Sequence, residues 1–379
     1  MLYTLEEAAL IDTLDASKLG GKGFNLKLIA SAFVNSQFQP VPNALLCTTD
    51  LYKHHVNSID GLNSQIAYLY RHIGHNEKND LQLYKDISNK IISKSLSEYC
   101  KNKIRTFLKA NDNMPVSVRS SATVEDGASA SFAGIFDTFL GQSNEDEVFK
   151  SLKKCWASLW MPNVYFYLKQ LNDGKILTSV KPIMAVVIQV QVDSKASGVM
   201  FTLNVNSGGI TEFTVESVFG QGEGYVSGSL SADKYLIRRK DGKLLVREIV
   251  VKEYYYDIIF NNSHSSSNNN NNANSHNQSN ADSHWVKKQL PDHLKYRSSL
   301  TQEQLIILSN YGNKLLDLYN EIPQDIEFAV DAVGYLYLLQ SRPVTSVEPN
   351  YDAAEAMEFI NPGKPGESWK LNEHFIRPQ

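Results

Sequence analysis

The residues best suited to chemistry lie in a predicted β-hairpin near the end of the chain. Its strands are the segments 325–331 and 335–342. Side chains alternate between the two faces of a strand, so one face would carry two carboxylates, an amide and a guanidinium. These groups belong to Asp325, Glu327, Gln340 and Arg342. On an otherwise apolar ribbon such a set is costly unless a ligand or solvent satisfies it.

A turn formed by residues 331–334 fixes the expected register of this hairpin. It would pair Val330 with Tyr335 and Glu327 with Leu338. The opposite face would then be apolar and would carry Ile326, Phe328, Val330 and Leu339. Two interpretations of the polar face stay open: a divalent cation on the carboxylate and amide oxygens with the arginine on a phosphate, or a solvated face with an ordinary salt bridge.

Composition narrows the class of protein. The chain has 379 residues, a net charge of -4 and a hydrophobic fraction of 42%, which is typical of two or three compact units. Because there is no basic excess, nucleic acid is not an expected partner. The cysteines are few and scattered, which predicts neither a disulfide framework nor a zinc site. They are Cys47, Cys100 and Cys155.

The cellular location follows from what the sequence does not contain. No apolar run approaches the ~20 residues of a membrane span. The N-terminus, Met1 to Glu7, lacks a basic region and becomes acidic at once, unlike a signal or transit peptide. We therefore expect a cytoplasmic protein that makes no membrane contact.

Hydrophobic patterns divide the chain into two lobes and a tail. Residues 1–180 mix helical and strand patterns and are predicted to form an N-terminal lobe, whereas the β-rich residues 181–347 form a C-terminal lobe. Within the second lobe, residues 261–284 are rich in Asn, Ser and His. Such a composition cannot bury apolar surface, which indicates a disordered insertion. Residues 348–379 are interpreted as a linker and the truncated start of a following domain.

Two segments of the first lobe could contact an anion. The glycine-rich stretch 20–23 contains Lys22 and is predicted to open a helix at Gly23, where backbone N–H groups could face an anion. It is not a Walker A loop, and a simple turn is the competing interpretation. The segment 116–121 indicates a strand that carries Arg119. This arginine could make bidentate phosphate contacts, or the segment could be a flexible loop beside a buried Arg–Asp pair.

Other candidates follow these segments along the chain. A run of small residues over 128–134 would let backbone approach a ligand closely, and Thr138 comes soon after it. Gln189 lies within a continuous apolar run, where its amide needs a partner, either a base edge or a structural group. The segment 220–224 fails the dinucleotide-binding pattern, because Tyr225 takes the place of the third glycine.

Seven sequence blocks, in order, resemble the nucleotide-binding region of the family of phosphoenolpyruvate synthase, pyruvate phosphate dikinase and rifampicin phosphotransferase. The resemblance covers about Leu19 to Thr345. The blocks are LGGKGFNL, VPNALLCTTDLYK, VSVRSSATVEDGASASFAGIFDTFLG, CWASLW, VVIQVQVDSKASGVMFTLN, VFGQGEGYVSGSLSADKY and DIEFAVDAVGYLYLLQSRPVT.

This resemblance implies an α+β, ATP-grasp-type nucleotide-binding domain, whose two lobes, built of mixed sheets and flanking helices, close over ATP. It places Lys22 and Arg119 on the phosphates, and Gln189 close to the nucleotide. Gly134 and Thr138 belong to the loop over the phosphates. The resemblance also assigns three residues of the hairpin. Glu327 and Gln340 would hold Mg²⁺ and the nucleotide, and Arg342 would contact ATP. Arg119 and Arg342 are the predicted catalytic residues.

The implied function is transfer of a phosphoryl group from Mg-ATP to a histidine carrier, as in phosphoenolpyruvate synthase. None of the nine histidines has the glycine-rich setting of the family's carrier. The expected partner is therefore a phosphohistidine domain, in trans or in a longer chain. Ile135-Phe136 replaces a polar pair common in relatives, and 42–45 departs from a Pro-x-Gly-Phe-like segment. The alternatives are an antibiotic-modifying kinase module like rifampicin phosphotransferase and a non-catalytic ATP-binding regulator.

Overall fold

A computed structural model gives the fold. It describes residues 1–34, 36, 38–123, 126–127, 130–131, 135–170, 183–226, 228–258 and 285–350. The predicted insertion at 261–284 and almost all of the predicted tail lie outside these residues, as does Gly134.

Helices and strands alternate irregularly along the chain. The helices are α1 (Leu5–Ala9), α2 (Ala16–Ala32), α3 (Thr49–Asn57), α4 (Leu62–His72), α5 (Glu77–Ser93), α6 (Glu98–Ala110), α7 (Glu145–Ser158), α8 (Pro162–Gln170), α9 (Glu223–Val226) and α10 (Gln302–Leu318). The strands are β1 (Leu2–Thr4), β2 (Ala44–Cys47), β3 (Val116–Ala122), β4 (Asp126–Gly127), β5 (Ala130–Ser131), β6 (Thr138–Gln142), β7 (Met184–Val190), β8 (Ala196–Phe201), β9 (Glu212–Phe219), β10 (Asp233–Arg238), β11 (Leu244–Glu248), β12 (Tyr254–Ile258), β13 (Trp285–Gln289), β14 (Gln324–Val330) and β15 (Leu336–Pro343).

Side-chain caps begin the longer helices where the sequence provides Ser, Thr, Asp or Asn. Asn144 accepts the Glu147 amide at the start of α7, and Ser97 does the same for Cys100 at the start of α6. At α10, Thr301 and Gln304 form a capping box. Each cap satisfies an amide that has no partner within the helix.

Two antiparallel sheets form the framework. The first has the strand order β1-β2-β7-β3-β6, and the second has the order β11-β10-β9-β8-β14-β15. The second sheet is built largely from sequential hairpins, which make neighbouring strands antiparallel. The α+β class is confirmed, but the expected mixture of parallel and antiparallel pairs is not found among the described strand pairs of the two sheets.

Strand β7 lies at the centre of the first sheet, between β2 and β3. The continuous apolar run that predicted a strand buried on both faces is confirmed, since its first six residues are buried. The first sheet therefore includes a strand beyond residue 180, the position where the sequence pattern changes.

Two apolar cores pack on opposite faces of the first sheet. On one face, Val186 and Ile188 contribute to a core built with helices α3 to α8. On the other face, Leu46 and Val187 belong to a core shared with α2, α10 and the second sheet. Since β3 pairs Arg119 with Val187, the arginine projects on the face that meets the second sheet.

A buried ion pair joins β10 of the second sheet to the segment between β11 and β12. Lys252 Nζ donates to Asp233 at 2.5 Å, and both side chains are almost fully buried. The same carboxylate accepts the amides of Val250 and Ser299 at 3.1 and 2.9 Å.

Among the described residues, none of the helices has the length and apolar composition needed to cross a membrane.

Candidate functional site

The four polar residues of the hairpin form two cross-strand pairs. Asp325 lies opposite Arg342, and Glu327 lies opposite Gln340, in the antiparallel pair of β14 and β15. Residues that face each other across such a pair project from the same face. The predicted polar face is therefore present in the structure, with its four side chains next to one another.

The register within this face differs from the predicted one. A β-bulge between Glu327 and Phe328 shifts the pairing, so that Leu338 faces Phe328 and not Glu327. Leu338 is fully buried in the core. Leu339, which was predicted for the apolar face, is the unpaired residue of the bulge. Alternation alone gives no sign of a bulge, which is why the prediction was wrong here.

The turn explains the rest of the shift. Val330 pairs with Leu336, not with the predicted Tyr335. The Asp331 carboxylate accepts the amides of Val333 and Tyr335 at 3.0 and 2.8 Å. The backbone N–H of Asp331 also donates to the Tyr335 carbonyl oxygen at 3.0 Å, so the turn spans the three residues 332–334 and not the predicted four.

Arg119 joins the two sheets at this hairpin. Its Nη2 donates to Glu327 Oε2 at 2.8 Å and to Gln340 Oε1 at 2.9 Å. Its Nη1 donates to the backbone oxygen of Leu339 at 3.4 Å. The Arg119 side chain is 14% exposed and that of Glu327 is 28% exposed. A residue of β3 and residues of β14 and β15 thus share one partly buried, charge-assisted cluster.

The charge of Glu327 is stabilised by its surroundings. Burial alone would raise the pKa of this carboxyl, but Arg119, Arg342 and Lys22 together outweigh burial and lower the pKa. Glu327 is therefore a carboxylate at neutral pH. The effect of Lys22 on this pKa also shows that the lysine, on a different element, lies within electrostatic range of the hairpin.

Arg342 is held by its cross-strand neighbour. Its Nε and Nη2 both lie close to Asp325 Oδ2, at 2.9 and 2.8 Å. The other carboxylate oxygen, Oδ1, is buried and has no hydrogen-bond partner. Burial raises the pKa of Asp325, and Arg342 offsets this only in part. The unpartnered oxygen leaves the pair with acceptor capacity for a ligand.

Lys22 is positioned by a break in α2. Gly20, at φ 66°, is non-helical and divides α2 into two helical segments. The glycine-rich stretch thus opens the second segment, which begins directly after Gly20 and not at the predicted Gly23. The break places Lys22 Nζ 3.0 Å from the Ser120 carbonyl oxygen of β3. The Gly23 amide, one of the groups predicted to face an anion, instead donates to Ser121 Oγ at 3.0 Å.

Two further predicted residues, Thr138 and Gln189, lie on the first sheet. Thr138 in β6 is exposed and lies directly opposite Arg119. Gln189 in β7 pairs with Ser117, two residues before Arg119, and so shares its face. Gln189 is 2% exposed and its Nε2 has no hydrogen-bond partner. A buried donor without a partner is rare in a folded protein. An acceptor atom of a bound ligand would supply the hydrogen bond that Gln189 Nε2 lacks.

Glu223 and Gln191, which the sequence analysis did not single out, also lie near the Arg119 cluster and Gln189. Burial and the nearby charge of Glu327 raise the pKa of Glu223, while Arg119 partly offsets them. Glu223 therefore lies close to the Arg119–Glu327 pair. Gln191 donates to Gln221 at 3.2 Å, and the Gln191 Oε1 is buried without a partner. The glycine-rich setting of Glu223 was the one available signal.

A metal held by protein groups alone is not indicated. The part of the chain that the structure describes contains no cluster of three or more His, Cys, Asp or Glu side chains that could hold a metal ion. Glu327 and Gln340 nevertheless offer a carboxylate and an amide oxygen that converge on a single point, the Arg119 Nη2. Mg²⁺ commonly binds through one or two carboxylates together with substrate phosphates, and this donor set fits that pattern.

The two sheets and helix α2 bring arginine, lysine, carboxylate and amide side chains to one shared region, an arrangement that fits an α+β nucleotide-binding domain. Comparison with known families gives the same class. Residues 16–360 match the family described as pyruvate phosphate dikinase, AMP/ATP-binding domain. The chain belongs to this family.

Curated relatives support the assignment. The chain is 32% identical over 340 residues to the probable phosphoenolpyruvate synthase of Methanothermobacter thermautotrophicus, covering 88% of this chain and 45% of that protein. It is 31% identical over 389 residues to the phosphoenolpyruvate synthase of Pyrococcus furiosus, covering 91% and 44%. It is also 29% identical over 336 residues to the prodigiosin synthesizing transferase PigC of Serratia marcescens, covering 88% and 32%. The chain spans less than half the length of these relatives.

Proposed function

We propose that the region between the two sheets binds Mg-ATP and transfers a phosphoryl group to a histidine carrier, as a phosphoenolpyruvate synthase would. The observation that carries this proposal is the contact of Arg119 with both Glu327 and Gln340, at 2.8 and 2.9 Å, across the two sheets. It supports a single site to which both lobes contribute. The relatives named phosphoenolpyruvate synthase support the reaction type.

The basic residues would bind the phosphates. Arg119 presents a planar guanidinium suited to bidentate phosphate contacts, and Lys22 adds a point charge from the helix break. Arg342 would contribute a further positive charge from the hairpin. Gly134 and Thr138 would contribute the loop over the phosphates. In phosphoryl transfer the protein acts mainly by alignment and charge neutralisation, and Arg119 and Arg342 are the proposed catalytic residues.

Glu327 and Gln340 would hold the magnesium ion together with phosphate oxygens. The lowered pKa of Glu327 supports this role, because only the ionised carboxylate is a metal ligand. When bound, Mg²⁺ would neutralise charge on the transferring phosphoryl group. The protein groups would supply position and exclude alternative orientations of the phosphates.

The base would lie along β7. The buried Nε2 of Gln189 is an unused donor, and Oε1 of Gln191 is an unused acceptor. A purine edge presents both donors and acceptors, so a base at this position would satisfy the orphaned atoms. This arrangement supports a nucleotide and not an isolated polyphosphate as the ligand.

Binding is tested by calorimetry with Mg-ATP on the full chain. Arg119→Ala and Glu327→Ala should each weaken binding at least tenfold, since each loses a charge-assisted contact to the ligand. Arg105→Ala is the matched control, because this arginine pairs with Glu145 away from the site. Equal affinity in all four proteins would contradict the proposal.

Transfer is tested by mixing the chain with an isolated phosphohistidine domain from a relative and ATP labelled at the β and γ positions. Label on the histidine domain supports phosphotransferase activity. Binding of ATP without transfer would instead favour the second candidate, a non-catalytic ATP-binding regulator. Phe136 lies in the first core and Ile135 packs against it, whereas the family resemblance implies a polar pair at these positions. This difference is the observation that favours the alternative.

The acceptor beyond the histidine is proposed by analogy with the relatives. Pyruvate is the acceptor proposed here, in keeping with the relatives named phosphoenolpyruvate synthase. PigC, named for prodigiosin synthesis, is a relative with a different product. An antibiotic or another hydroxyl compound is therefore the competing acceptor class.

A further inference from the structure

One nitrogen atom of Arg119 contacts both of the oxygen atoms proposed to hold the metal. Nη2 is 2.8 Å from Glu327 Oε2 and 2.9 Å from Gln340 Oε1. These distances place the guanidinium at the point where the carboxylate and amide oxygens converge. A divalent cation cannot take both oxygens while this nitrogen holds them, because two positive groups would then share one small volume.

Displacing the guanidinium without replacing its partners is unfavourable. The Arg119 side chain is 14% exposed, and its Nε is buried without a partner. Among the described residues its one other hydrogen bond is the longer one from Nη1 to the Leu339 carbonyl oxygen, at 3.4 Å. A guanidinium that leaves Glu327 would therefore lose its counter-charge in a largely desolvated place, and such a loss is costly.

A bound triphosphate would lower the cost of moving the Arg119 guanidinium away from Glu327, since phosphate oxygens offer it another charged, bidentate partner. We propose that Arg119 makes cation binding at Glu327 and Gln340 conditional on a bound triphosphate. The free cation is excluded by Arg119, and the cation is admitted when phosphate draws the guanidinium away. This inference rests on the proposed nucleotide site and adds an order to its binding events.

Arg342 provides a matched comparison. Like Arg119, it lowers the pKa of Glu327, so its removal also takes one positive charge from the neighbourhood of that carboxylate. Its guanidinium, however, is held by Asp325. Removal of Arg342 would therefore act only as a change in nearby charge, and a smaller one than that of Arg119, whereas the proposed exclusion is specific to Arg119, whose nitrogen contacts both oxygens.

The experiment measures Mn²⁺ binding to the full chain by electron paramagnetic resonance, first without nucleotide and then with ATP. Wild type should bind free Mn²⁺ weakly. Arg119→Gln should bind it about tenfold tighter, within the range usual for coupling between two ligands. Arg342→Gln should gain much less. Arg119→Lys, which keeps the charge, should stay near wild type, and Arg119→Met repeats the neutral variant with a different side chain.

Adding Glu327→Gln to Arg119→Gln should abolish the gain, which locates the cation at that carboxylate. The inference is overturned if the neutral Arg119 variants bind free Mn²⁺ no better than wild type, or if Arg342→Gln gains as much. Failure of the proposed nucleotide site has a different signature: ATP would then add to the wild-type signal only the Mn-ATP complex that also forms without protein, whatever the Arg119 variants do with the free ion.

Discussion

Gly20 lies directly against Ser121: a Cβ atom built on Gly20 would be 2.0 Å from the Ser121 carbonyl oxygen. The contact joins the break in α2 to the end of β3, the two elements that carry Lys22 and Arg119. Ser121 Oγ strengthens the junction, since it accepts the Gly23 amide and donates to the Leu19 carbonyl at 3.0 and 2.7 Å. The relative position of the two cations thus depends on a glycine at position 20.

Gly20→Ala is therefore expected to destabilise the protein. The added methyl group overlaps backbone, and the φ of 66° is strained for alanine, so a loss of about 3 kcal/mol is expected. Urea unfolding measures it. Gly61→Ala is the control, because φ there is 70° with nothing within 4 Å; strain alone should cost about 1 kcal/mol. Equal losses would show that the contact with Ser121 is unimportant.

Gln189→Leu is expected to separate recognition of the base from recognition of the phosphates. The substitution removes the unpartnered buried Nε2 without emptying the space it occupies. Affinity for Mg-ATP should fall several-fold, whereas affinity for inorganic triphosphate should not change. Arg119→Ala should weaken both ligands. Calorimetry with the two ligands provides the comparison, and a loss confined to triphosphate would contradict the position proposed for the base.

The pKa of Glu223 is expected to move in opposite directions in two variants. The charge of Glu327 helps to raise this pKa, and Arg119 helps to lower it. Glu327→Gln should therefore lower the pKa of Glu223, and Arg119→Gln should raise it further. Carbon-13 NMR titration of the glutamate carboxyl groups measures both shifts. Shifts in the same direction would indicate a conformational change and not a direct interaction.

The Glu223 carboxyl also makes the free energy of unfolding depend on pH. Since the folded-state pKa of Glu223 is raised above its ordinary value of 4.5, the unfolded chain loses this proton first as pH rises. The contribution of Glu223 to the free energy of unfolding is then full below about pH 4 and declines as pH rises through the folded-state pKa. Glu223→Gln should remove that decline, which unfolding curves across the pH range would detect.

Lys252→Met is expected to leave Asp233 without its buried counter-charge. Both side chains are almost fully buried, and removal of one partner from such a pair typically costs about 3–5 kcal/mol. The Arg238–Asp241 pair is exposed and serves as the comparison. Arg238→Met should have a much smaller effect in the same urea titration. A small effect of Lys252→Met would mean that the amides of Val250 and Ser299 suffice to stabilise Asp233.

The polar hairpin face was predictable because alternation along a strand is local and needs no knowledge of the rest of the fold. Its register was not, since the bulge at Glu327 and the Asp331 side chain that closes the turn depend on specific contacts. The Arg119–Glu327 pair spans 208 positions, and local patterns cannot bring such residues together; the family resemblance predicted a shared nucleotide site for both residues but not this pair. Glu223 was missed because its proximity to Glu327 arises only from the packing of α9.

The exposed tip of the hairpin gives experimental access to the site. Val333 is 89% exposed at the turn, and Cys47, Cys100 and Cys155 are all buried. A thiol-reactive fluorophore would thus attach selectively to a Val333→Cys protein, leaving the native thiols unmodified. Because the dye would be carried on the turn that joins the strands of Glu327 and Gln340, its emission would report in real time on any motion of this hairpin when nucleotide arrives.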